Sequence, residues 1–229
     1  MKKQRALILN CILLAVCLGA MLLWTCFGEL IFQKKADAEE LAAMKQQFDE
    51  LLLGTYREGV EELIAWLEEE TDFYIAPAST ANHGAVAGGL LRHSLSVQRY
   101  LSNFIKPIKE QIPEESAIIA SLLHDLCKAN FYGKRVRNVK VDGRWEEQES
   151  FYIEDQFPFG HGEKSALLAQ RFIALTDDEA LAIRWHMGGF DDAARGYAGG
   201  LTQASAYNKC KLAVALNVAD MYVANIIGH

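Results

Sequence analysis

Apolar and polar positions recur along this chain with two different periods. From residue 37 to 53, and again from Tyr56 to Glu70, apolar side chains return every three or four positions, the spacing of a helix with one buried face. Val60, Leu63, Ile64 and Leu67 share such a face. The same period predicts a helix carrying His93 and ending near Ile105, and another that Pro113 opens and that carries Ile118, Ile119, Leu122, Leu123 and Leu126. A further helix is expected from His161 to about Leu175. The Thr176–Glu179 capping box starts a short one that ends at His186. The last is expected from about Asn208 to Ile226, with Leu212, Leu216, Ala219 and Val223 inward and Asp220 beside them. Between them the Gly-rich stretch 188–200 reads as irregular. Only at Arg135–Val141 and Arg144–Ile153 does the pattern alternate, around Asp142-Gly143, a strong hairpin signal. The expected fold class is all-α, a helical bundle with a small β-hairpin insertion.

The N-terminus breaks this pattern. Ala6 to Gly28 is an uncharged run of 23 residues between Lys2, Lys3 and Arg5 on one side and Glu29, Lys34 and Lys35 on the other. At 1.5 Å per helical residue the run spans roughly 34 Å, enough for a hydrocarbon core of about 30 Å. It lacks a small-residue cleavage site, so residues 1–35 read as a retained N-terminal hydrophobic helix and single-pass membrane anchor. Residues 36–229 form the remaining domain. If Met44 is the true start, the protein is expected to be soluble instead. Basic residues flank the run on both sides, which leaves its orientation open.

Charge narrows the function. From Ala36 onward 18 Lys and Arg face 29 Asp and Glu, which argues against broad non-specific binding to nucleic acid. Three of the five cysteines lie in the hydrophobic run. Cys127 and Cys210 read as buried free thiols of a reducing compartment, so the domain is expected to face the cytoplasm.

The candidate chemistry is a metal site. His93 lies inside a predicted helix, His124 and Asp125 at the end of one, His161 at a start, His186 at an end and Asp220 in the last. One His or Asp contributed per helix is a common way to build a metal centre in a helical core. Imidazole and carboxylate donors suit Fe, Mn, Zn, Ni or Co, and the pattern holds no thiolate cage of the structural zinc type.

The order His93 … His124-Asp125 … Asp220 resembles the signature of the HD-domain superfamily of metal-dependent phosphohydrolases, and His124-Asp-Leu-Cys-Lys128 is similar to that family's HDxxK form. His161 and His186 match the branch that binds two metals. The stretch from His83 through Gly88-Gly-Leu-Leu-Arg-His93 is similar to HD-domain 3′-5′ exoribonucleases and the HD part of some relaxases. The GYP tripeptide of the cyclic-di-GMP phosphodiesterases is missing. The resemblance implies an HD-domain helical bundle over about Glu50 to Asn225. It assigns His93, His124, Asp125 and Asp220 to one divalent transition metal and lets Asp125 bridge to a second held by His161 and His186. Asp125 and Lys128 would then be the catalytic pair, with Lys128 near the phosphate. His83, Arg135, Arg137 and Lys164 are candidate substrate contacts, and Arg184 is a weaker one.

The expected function is hydrolysis of a phosphomonoester or phosphodiester of a nucleotide, or of short RNA or DNA, by a metal-activated water. Two alternatives stay open: a di-iron oxygenase of the same fold, and an inactive metal-binding regulatory module. The sequence gives no oligomeric state.

Overall fold

A computed structural model describes residues 35–80 and 84–227, and it divides the chain into two compact units, Met1–Ala43 and Met44–His229. The run 6–28 and His83 lie outside the described residues. Among those described, no single helix is long and apolar enough to cross a membrane.

The described chain is mostly helical, with one two-stranded sheet. Residues 35–53 are helical (α1), followed by α2 (Val60–Glu69), α3 (Gly89–Ile105) and α4 (Glu114–Leu123). The hairpin β1 (Tyr132–Val141) and β2 (Arg144–Ile153) comes next. It is followed by α5 (His161–Gln170), α6 (Asp177–Trp185), α7 (Tyr197–Lys209) and α8 (Lys211–Tyr222). Helix α2 starts at Val60 rather than Tyr56 because Gly59, at φ 86°, takes a left-handed turn that a helix cannot continue.

Five helices surround the site. α3 packs on α4 and α8, and α6 packs on α4, α5 and α8. Leu91, Val97, Ile119, Leu122, Leu123, Ile183 and Leu216 are buried between them. Full burial of each such side chain contributes about 1.5–3 kcal/mol, so the helix ends that carry the ligand residues are firmly held. Pro113, extended at ψ 136°, stands just before α4 instead of inside its first turn. At the other end His124 closes the helix. Asp125 has already left helical geometry (φ −102°, ψ 20°), and a 3-10 turn, Leu126–Lys128, follows.

The structure differs from the expected elements at three places in the second half of the chain. The glycine-rich stretch 188–200 folds into two 3-10 turns, Gly188–Phe190 and Asp192–Arg195, and the start of α7. The last helix is also split, because Cys210 is extended (φ −116°, ψ 104°) and ends α7 before α8 begins. Helix α5 ends at Gln170, shorter than its apolar pattern suggested.

The hairpin begins three residues earlier than its alternation, with Tyr132 opposite Ile153 and Val141 opposite Arg144. Asp142 (φ 47°) and Gly143 (φ 86°) both have positive φ, as a two-residue turn matching the strand twist requires. Most of the hairpin is exposed, including Val136, Trp145 and Ile153. Its root is tied down where the Tyr132 hydroxyl donates to the Ala78 carbonyl at 3.1 Å.

Candidate metal centre

Six side chains predicted from sequence converge on one point. His93, in the second turn of α3, sets Nε2 3.0 Å from Asp220 Oδ1 and 3.2 Å from His124 Nε2. Asp125 stands between two groups. Its Oδ2 lies 3.6 Å from His93 Nε2 and 3.5 Å from His124 Nε2. Its Oδ1 lies 2.9 Å from His161 Nε2 and 3.6 Å from His186 Nε2. The two oxygens of one carboxylate thus face two different sets of imidazoles. Three groups of donors close enough to hold a cation follow among the described residues: His93 with His124 and Asp220, His124 with Asp125 and His186, and Asp125 with Cys127 and His161.

Local structure fixes which ring nitrogen faces the centre. His124 Nδ1 is 2.7 Å from the Ser121 carbonyl, and His186 Nδ1 is 2.7 Å from that of Ile183. A carbonyl can only accept, so each Nδ1 carries a proton and each ring turns its Nε2 toward the centre. Both histidines close a helix, where the carbonyl three residues back is free to take that bond.

Packing sets the rest. The Cys127 amide donates to Ser165 Oγ at 3.0 Å, joining the turn after Asp125 to α5. Arg184 spans from Glu163 on α5 to Asp191 beyond α6, at 2.5 Å to each. At Gly162 a Cβ would come within 2.1 Å of the Arg184 carbonyl. Only glycine lets the start of α5 approach the end of α6 so closely, and that approach brings His161 beside His186, with ring centroids 5.1 Å apart.

The electrostatics fit a cation. Burial opposes the His124 imidazolium, yet Asp125 and Asp220 outweigh it and raise its pKa. His161 is raised to about 10 against burial, by Cys127 and Asp125. Burial alone would raise both aspartates, but Lys128 and His124 pull Asp125 well below the usual range, and His93 brings Asp220 to about 2. Burial, with His124 nearby, lowers His186 and keeps it neutral. Its Nε2 is buried with no hydrogen-bond partner. A buried, unpaired imidazole nitrogen is costly unless something else accepts its lone pair. A divalent transition metal among these N and O donors fits that requirement.

A cavity of about 510 Å³ opens on the centre, lined by His93, Asp125 and Asp220 together with Lys128, Met187 and Phe190. Lys128 Nζ donates to Asp125 Oδ2 at 2.7 Å while reaching this cavity. Its pKa is raised: Asp125 and Tyr132 overcome the cost of burial.

The other predicted substrate contacts lie elsewhere. Lys164 is buried against Asp155 at 2.5 Å and above the Phe131 ring. Arg135 and Arg137 are exposed on one face of the hairpin, with Arg135 near the Tyr152 ring. Arg184 is held in its two ion pairs, and none of these residues lines the cavity. In the other direction, sequence reading passed over the cavity walls Phe190, Met187, Met221 and Asn225. The short Met-Gly-Gly-Phe run after His186 was the available signal for two of them.

A helical core that gathers four imidazoles and two carboxylates, one of them facing both sets of imidazoles, is a constellation that could hold divalent metal. The HD domain family profile matches residues 90–225, more than half of the chain, and the chain belongs to that family of metal-dependent phosphohydrolases. Comparison with curated proteins and with solved structures gives no match.

Proposed function

We propose that the protein hydrolyses a phosphoester of a nucleotide or short oligonucleotide at a centre holding two divalent metals. The supporting observation is the placement of Asp125, whose two oxygens face separate imidazole pairs. His93, His124, Asp125 Oδ2 and Asp220 would hold one ion. Asp125 Oδ1, His161 and His186 would hold the other. Bound there, two divalent ions supply an acidified water and polarise phosphoryl oxygens.

The chain's own residues do the remainder. Lys128 brings a positive charge to the cavity wall beside Asp125, where it can offset charge growing on a phosphoryl oxygen. Met187, Phe190 and Met221 give the same cavity an apolar side suited to a base, and Asn225 adds a polar group. A phosphate toward Lys128 and a base toward Phe190 is the pose that uses both. The volume lies within the range of small-molecule sites, about 300–1,000 Å³.

The deciding experiment loads the purified full chain with Mn²⁺, Fe²⁺, Co²⁺, Ni²⁺ or Zn²⁺ and offers a panel of mono- and diesters. Phosphate or nucleotide release that Lys128→Ala lowers by about 10²-fold or more, with metal content unchanged, is the expected result. Full metal loading with no ester cleaved, or an O₂-dependent iron signal in its place, would overturn the reading. Phe190→Ala should raise KM for nucleotide esters and leave small alkyl phosphates unaffected.

A further inference from the structure

One donor at the centre is unlike the rest. Cys127 Sγ lies 3.4 Å from His161 Nδ1 and 3.8 Å from His161 Nε2, on the same side of Asp125. Asp125, Cys127 and His161 have donor atoms within 4.8 Å of one another. We infer that Cys127 is a thiolate ligand of the ion on the His161 side, which makes that half of the centre selective for a thiophilic ion such as Zn²⁺ or Co²⁺. The inference rests on the metal centre underlying the proposed function, not on the substrate.

The distances support this. Metal–sulfur and metal–nitrogen bonds of about 2.3 and 2.0 Å at a tetrahedral angle place S and N roughly 3.5 Å apart. The 3.8 Å between Cys127 Sγ and His161 Nε2 is within a few tenths of that edge. His161 Nε2 to Asp125 Oδ1, at 2.9 Å, is a similar ligand-to-ligand edge. The backbone holds the thiol in place: Cys127 sits in the 3-10 turn after Asp125, is almost wholly buried, and has its amide fixed by Ser165 Oγ. A second, separate feature points to the same ion. His186 Nε2 is fully buried without a hydrogen-bond partner, 3.6 Å from the Asp125 oxygen that faces His161. Asp125 Oδ1, His161 and Cys127 offer an O, N, S donor set on this side, with His186 Nε2 3.6 Å from the same Asp125 oxygen. On the other, His93, His124 and Asp220 offer only N and O. A thiolate adds affinity for soft ions and little for Mg²⁺ or Mn²⁺. In forming the sulfur–metal bond the thiol gives its proton to solvent, and no oxidant or reductant is needed.

The test is Co²⁺ titration of the full chain, read as near-ultraviolet absorption with metal content counted in parallel. Wild type should show a sulfur-to-cobalt charge-transfer band that appears with one of the bound ions. Cys127→Ser should lose that band and loosen one ion by at least about tenfold. Cys210→Ser, distant in sequence and capping α8, should keep it. Two Co²⁺ bound with no such band would overturn the inference and leave Cys127 as a thiol hydrogen-bonded to His161. Ester hydrolysis that persists in that case keeps the proposed function standing. A band without hydrolysis of any ester would sink the function and keep the ligand.

Discussion

Asp125 is the residue on which the centre depends most, because its two oxygens face both sets of imidazoles. Asp125→Asn keeps the shape and removes the charge. Ion counting should find both ions lost or loosened, whereas His186→Ala should leave about one per chain. Equal metal content in wild type and Asp125→Asn would contradict the bridging arrangement. A pH dependence follows from the same groups. His161 is raised to about 10 and His124 is raised as well, and each must give up its proton before its nitrogen can bind an ion. Metal affinity should therefore weaken steadily as pH falls, and uptake at neutral pH should release protons, measurable by calorimetry in buffers of different ionisation enthalpy. Much of this residue-scale picture was legible in sequence. His124-Asp125 after a run of leucines, and the lone His or Asp on other helices, were all visible. The nearness of Cys127 to His161 was not, since 34 positions separate them and a buried cysteine reads first as a small apolar residue.

Elements position these residues, and two contacts do so visibly. Gly162→Ala would press a Cβ onto the Arg184 carbonyl and push α5 off α6. That variant should lose the His161-side ion first while the other stays bound, which metal titration resolves. A second link is the pair between Arg57 and the fully buried Glu179, at 2.8 and 2.9 Å, on the first turn of α6. Arg57→Ala leaves the buried Glu179 carboxylate without its cation, held only by the Thr176 amide, and should cost about 3 kcal/mol or more in thermal or urea unfolding. The Thr176 capping box that starts α6 was readable in sequence and is present, with both reciprocal hydrogen bonds. Helix α7 was not readable, for a physical reason. A Cβ at Gly199 would come within 1.7 Å of the Ala193 carbonyl, so the first turn of α7, packed on the Asp192–Arg195 turn, requires glycine in a place where glycine ordinarily signals irregular chain. The hairpin showed clearly, but not where its charges would lie. If Arg135 and Arg137 meet substrate when it binds, replacing both by alanine should raise KM by up to about tenfold and leave metal content unchanged. Unchanged kinetics at low and high salt would make them solvated strand charges facing Gln148 and Ser150.

For the whole molecule, charge and metal act together. The chain from Ala36 carries 29 acidic against 18 basic side chains, so an anionic ester approaches against a repulsive field. Moderate salt should screen that field and raise kcat/KM, in contrast to a basic site, where salt would lower it. The folded state should also depend on its ions, because several ligand-bearing helices meet at one place and the unfolded chain has no such site. At a free metal concentration about 100 times Kd, binding adds roughly 2.7 kcal/mol, so a chelator should lower Tm by several degrees. A Tm unaffected by chelation would mean the helical core is held by its apolar contacts alone.

The turn of the hairpin offers practical use. Nothing lies within 4 Å of a Cβ placed at Gly143, and most of both strands is open to solvent. An epitope tag or a fluorophore-labelled cysteine placed between Asp142 and Gly143 would thus meet no packed neighbour. The same openness makes this bend the place where a protease should nick the folded domain first. The two fragments would remain associated through the buried helices on either side, a ready reporter of whether the core has stayed shut.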